Sequence, residues 1–119
     1  MRVWYADENA LFRNRLYVTR IKWLAPLLTQ IIEEGIEEGV FNTPYPDQAA
    51  RMIIALLEYL GYAIAAILLA QENKHFSFSQ MVRLGEATAD AMERLLGMKP
   101  GYLVQAWRED FLHWQELLE

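Results

Sequence analysis

Apolar residues recur at helical spacing along most of the chain, and no segment keeps the strict alternation of a half-buried strand. The pattern breaks at clusters of proline and glycine. This predicts an all-α fold of about five helices, over 7–20, 22–39, 46–72, 79–97 and 102–118. Local signals support those limits. Asp7 can cap the first helix by accepting backbone N–H bonds. Gly39 followed by Val40 and Phe41 suits a stop in which glycine turns left-handed and an apolar residue folds back. Pro46 and Asp47 open the next helix, where proline loses no hydrogen bond and an acid favours the dipole. Ser77 with Gln80 fits a capping box. Gly97, then Pro100 and Gly101, closes the fourth helix. Pro26 should kink or restart the chain near Trp23, because it removes a helical hydrogen bond.

The faces follow from the same spacing. In 79–97, Leu84, Gly85, Thr88, Ala89, Ala91, Met92, Leu95 and Leu96 share one broad side, opposite Arg83, Glu86, Asp90, Glu93 and Arg94. The stretch 46–72 is apolar almost all round. Met52, Leu56, Tyr59, Ala63 and Ala66 lie on one side, and Ile54, Leu57, Gly61, Ala65 and Leu68 on the other. A helix apolar on both sides must be covered twice, and in a small protein the second cover is most simply another chain. Gly61 with Ala65, and Gly85 with Ala89, add small residues at four-residue spacing, which let helices approach closely. Close packing inside one monomer is the alternative. We read these positions as a homodimer surface in which two helices from each chain form an intermolecular four-helix bundle. Its candidates are Ile54, Leu57, Gly61, Ala65, Leu68, Gly85, Ala89 and Met92.

Composition narrows the function. The chain has 119 residues, 54% of them hydrophobic and 13% aromatic, which fits a single domain with an apolar surplus. It has no cysteine, so thiolate metal sites and cysteine nucleophiles are excluded. A net charge of −5 without a basic cluster argues against DNA binding by these residues alone. The start "MRVWYADENA" lacks the apolar core of a signal peptide. The longest uncharged apolar stretch, "YLGYAIAAILLA" at 59–70, is shorter than the ~20 residues of a membrane span. A buried helix of a cytoplasmic protein, with no membrane partner, is the expectation.

Chemistry-bearing groups are sparse. Glu33, Glu34, Glu37 and Glu38 repel one another near a helix C-terminus, but four adjacent exposed acids provide no difference in environment for acid–base work. They read as a solvated face. Glu72 with His75, and Asp110 with His113, match the Glu-x-x-His spacing of di-iron bundles only in part, since one acid is Asp and no bridging glutamate is evident. No serine elbow or glycine-rich phosphate loop occurs. We expect no enzyme, no metal and no cofactor. Aromatics are abundant, among them Trp4, Tyr5, Trp23, Tyr59, Tyr62, Phe76, Trp107 and Trp114. As a group they suit a helical domain with an apolar cavity.

Two phrases carry a family resemblance. "LAPLLTQIIEEGIEEGVFNTPYPDQAA", 24–50, and "MERLLGMKPGYL", 92–103, resemble the C-terminal regulatory half of TetR-type transcriptional regulators. In the first, Glu34, Gly35, Gly39 and Phe41 end one helix, and Pro46, Asp47, Ala49 and Ala50 begin the next. The resemblance implies an effector-binding and dimerisation domain, most simply of a repressor. A small apolar effector would enter a cavity between helices 7–20, 22–39 and 46–72. Trp23, Met52, Leu56 and Tyr59 are the lining candidates, chosen by face and position. The family's N-terminal helix-turn-helix is missing, and "RVWYADENA" begins as though mid-helix. A fragment of a longer regulator, touching DNA only through the absent domain, is therefore expected. A stand-alone helical binding or scaffolding dimer is the alternative.

Overall fold

The computed structural model describes residues 7–70 and 78–118. They form four helices: α1 (Asp7–Glu37), α2 (Pro46–Ala70), α3 (Phe78–Leu96) and α4 (Tyr102–Leu118). No strand occurs among the described residues, so the fold is all-α. The expected helices 7–20 and 22–39 are one. Pro26 lies inside α1 without ending it. Proline deprives only the Lys22 carbonyl of its partner, and its ring is exposed; Ala25 and Ile32 on either side are buried and hold both halves to the fold. Burial thus outweighs the ~3 kcal/mol that an internal proline costs. The expected caps at Asp7 and Ser77 concern side chains outside the described residues.

The helices pack in chain order, α1 on α2, α2 on α3 and α3 on α4. The result is a flat array of 49 × 40 × 20 Å with a radius of gyration of 16.7 Å. A compact chain of this length has about 13.5 Å. The core lies at one end, where Ile32, Ala49, Ala50, Ile53 and Leu96 are buried and Leu28, Ile36, Phe41, Met92, Leu95 and Met98 pack around them.

Helix termini build that end. Beyond α1, Gly39 takes φ 80°; its N–H donates to Ile36 at 3.1 Å, and the N–H of Val40 donates to Gly35 at 2.8 Å. This is the Schellman closure that "GVF" predicts. Phe41 then folds onto Gly35, where a Cβ would collide with its ring. Beyond α3, Gly97 takes φ 63°, and the same pair of bonds runs from Gly97 to Arg94 and from Met98 to Glu93, at 3.3 and 2.9 Å. The two ends meet: Asn42 N–H donates to the Leu96 carbonyl at 2.8 Å, and its own carbonyl lies against the bare α carbon of Gly97.

Glu93 corrects the expected polar face of α3. It is 3% exposed. One carboxylate oxygen accepts from Gly101 N–H at 2.9 Å, the other from Leu103 and Val104 at 2.6 and 3.2 Å. These are donors that the first turn of α4 leaves without helical partners. Hydrogen bonds from Gly101, then Val104 and Leu103, prevail over burial and hold the Glu93 carboxyl below the ordinary carboxylate pKa.

Two outcomes follow from these ends. Gly97→Ala combines a left-handed backbone with a clash against the Asn42 carbonyl, so urea unfolding should show a loss of at least ~1–3 kcal/mol. Glu93→Gln should lower Tm by several degrees at neutral pH. A carboxyl whose pKa is depressed by folding contributes fully above its unfolded pKa, and the contribution fades as pH falls through the folded value. The Tm difference from the parent should therefore narrow below about pH 4; a difference independent of pH would exclude a charged cap.

Candidate functional site

Between α1 and α2 lies a groove of about 490 Å³. Leu16 and Leu24 of α1 and Ile54, Leu57 and Gly61 of α2 form its apolar lining; Arg13, Arg20, Glu58 and Tyr62 supply the polar groups. The groove is open beside Gly61, where a Cβ would meet nothing within 4 Å. Arg20 Nη2 pairs with Glu58 Oε1 across the groove. Arg20 Nε is buried and meets no acceptor.

A second apolar surface crosses α2 and α3. Met52, Ala55, Leu56, Ala91, Arg94 and Leu95 line a shallow depression of about 550 Å³. Beyond it α2 is little covered: Leu57, Tyr59, Tyr62, Leu68 and Leu69 are each about half exposed. By length and composition α2 is apolar enough to cross a membrane, with mean hydropathy 2.2 over an 18-residue window of which 11% is buried.

These surfaces distribute the expected site residues differently from the two sets drawn on the sequence. Of the pocket candidates, Met52 and Leu56 lie on the α2–α3 surface, while Trp23 and Tyr59 are 68% and 58% exposed. Of the interface candidates, Ile54, Leu57 and Gly61 line the α1–α2 groove. Ala65 and Leu68 are exposed further along α2, Ala89 is buried, and Met92 packs against the core. Gly85 is buried beneath Trp107 of α4, which occupies the space of a Cβ. Spacing identified which residues share a face, but not which neighbour each face meets.

Sequence reasoning gave no role to Arg20 or Glu58, and named Trp107 only among the aromatics suited to a cavity. Glu58 carried a usable signal, as a lone charge inside the apolar run of α2; its partner, 38 positions earlier, carried none. Trp107 packs on Phe111 with ring centroids 5.8 Å apart. Beside it, Arg108 Nε and Nη2 donate to the two oxygens of Glu86 at 2.9 and 3.1 Å, which lowers the Glu86 carboxyl pKa. The acids at 33, 34, 37 and 38 are exposed, as is His113. Glu72, His75, Trp4, Tyr5 and Phe76 lie outside the described residues. Among the described residues no three or more histidine or acidic groups gather as a metal site would require.

Residues 4–78 match the family described as tetracyclin repressor-like, C-terminal domain. No curated protein and no solved structure gives a significant match to the chain.

The contrast between two glycines is testable by thermal or urea unfolding. Gly61→Ala adds a methyl to open space and gains helix propensity, so it should stabilise by about 0.5–1 kcal/mol. Gly85→Ala must displace the Trp107 ring and should destabilise by roughly 1–3 kcal/mol.

Proposed function

The chain belongs to the tetracyclin repressor-like C-terminal domain family, and from that premise we propose that residues 1–119 are the ligand-sensing and dimerisation domain of a cytoplasmic transcriptional repressor. Domains of this family are regulatory rather than catalytic. The observation that carries the reading is the unfinished apolar half of the molecule, which provides both a groove and a surface to be covered. The chain exposes 9096 Å². A compact monomer of its mass exposes about 6,700 Å². Summed over two chains, the difference is of the order that obligate homodimers bury, roughly 2,000–5,000 Å².

In this reading the effector occupies the α1–α2 groove, walled by Leu16, Leu24, Ile54, Leu57 and Gly61. The two-fold mate covers the α2–α3 surface at Met52, Ala55, Leu56, Ala91 and Leu95, and four helices form the intermolecular bundle. This also accounts for the apolar α2 without a bilayer. Tyr59, beside Met52 and Leu56 on the same side of α2, extends the dimer surface. The output is the DNA affinity of an N-terminal helix-turn-helix. Occupying the groove favours one spacing between the α1 helices of the dimer, and effector and operator then oppose each other through their different affinities for the two arrangements.

Sedimentation equilibrium tests the assembly. The parent chain should sediment as a dimer. Met52→Lys and Ala55→Lys replace residues exposed in the single chain, so they should leave the fold intact. Each places like charges across the two-fold axis at a cost of several kcal/mol, and the pair should sediment as monomers. Dimers of unchanged affinity in both variants would move the interface off this surface.

A further inference from the structure

We propose that the α1–α2 groove takes a small amphipathic carboxylate, its apolar tail along Leu24, Ile54 and Leu57 and its head on Arg20. The proposal rests on the sensing reading above and deepens it by naming the ligand's chemical class. Three observations carry it. First, the guanidinium of Arg20 faces a lining that is otherwise largely apolar, made by Leu16, Leu24, Ile54, Leu57 and Gly61. Second, the same molecule shows what a completed arginine edge looks like. Arg108 donates through both Nε and Nη2 to the two oxygens of Glu86. Arg20 reaches Glu58 through Nη2, while its Nε–H is buried without an acceptor.

A guanidinium edge matches the two oxygens of a carboxylate, and a buried donor left unmade costs free energy. A ligand carboxylate that replaces Glu58 and takes both donors removes that deficit. Glu58 is partly exposed, so its released carboxylate can turn to water. Third, the space opposite Gly61 is empty of side-chain atoms, which gives a short hydrocarbon chain room on the apolar floor. Displacing Glu58 breaks an ion pair between α1 and α2, so the head group acts on the relative placement of the two helices while the tail supplies burial.

The test is titration calorimetry of the whole chain with octanoate and octyltrimethylammonium below their micelle concentrations and octan-1-ol below its solubility limit. Octanoate should bind about tenfold to a hundredfold tighter than octanol, the range of a charge-assisted hydrogen bond, and the cation weakest of the three. Arg20→Gln should remove the advantage of octanoate and leave octanol unchanged. Glu58→Gln, which removes the competing acid, should tighten octanoate. Circular dichroism of both variants checks that the helices remain. Equal binding of octanoate and octanol overturns the carboxylate proposal and leaves an apolar sensor standing. Octanoate binding unchanged in Arg20→Gln overturns Arg20 as the receptor of the head group. No binding of any probe overturns the proposal and removes the groove as the sensing site.

Discussion

The structure depends on one backbone contact, where the Asn42 N–H meets the Leu96 carbonyl across the bare α carbon of Gly97. It joins the turn after α1 to the end of α3, and so holds those two helix ends together beside the start of α2. Ile32, Ala49, Ala50, Ile53 and Leu96 form the buried cluster at the same end of the molecule. Glu93 extends it to the fourth helix. Its backbone carbonyl closes α3 through Met98, and its side chain caps α4 through Gly101, Leu103 and Val104. Polar groups at helix ends, each satisfied by another element, fix where the apolar faces go.

Concentrating the core at one end leaves the other end available for function. Between α1 and α2, Gly61 and the Arg20–Glu58 pair line an open groove rather than a packed seam. On the other side of α2 a nearly flat apolar surface continues onto α3. A chain that buries so little of an apolar helix gains stability from whatever covers it, by roughly 25 cal/mol per Å² of apolar area. Binding and assembly are then coupled to the same helix, which is what a switch between two arrangements needs.

Much of the fold was legible because its signals are local. "GVF" marks a left-handed glycine stop, Gly97 with Pro100-Gly101 marks another helix end, Pro46-Asp47 marks a start, and each acts locally. Pro26 misled for the converse reason: its local cost is real, but contacts made by Ala25 and Ile32 with distant residues override it. Glu93 was assigned to solvent because a carboxylate usually is, and its burial depends on the arrival of an α4 terminus eight residues later. The site was legible only as composition. Periodicity grouped Ile54, Leu57 and Gly61 together, and Met52 and Leu56 together, yet an apolar face looks alike whether it meets a ligand, a neighbouring helix or a second chain.

In the working protein, on the reading proposed above, a second copy covers the open half of α2. Amide hydrogen exchange of the unmodified chain at micromolar concentration tests this most directly. Amides over 57–70 should be protected as strongly as those over 49–54, despite the exposure of this half in a single chain. Fast exchange over 57–70 beside a protected 49–54 would show an α2 that no partner covers, and would contradict it.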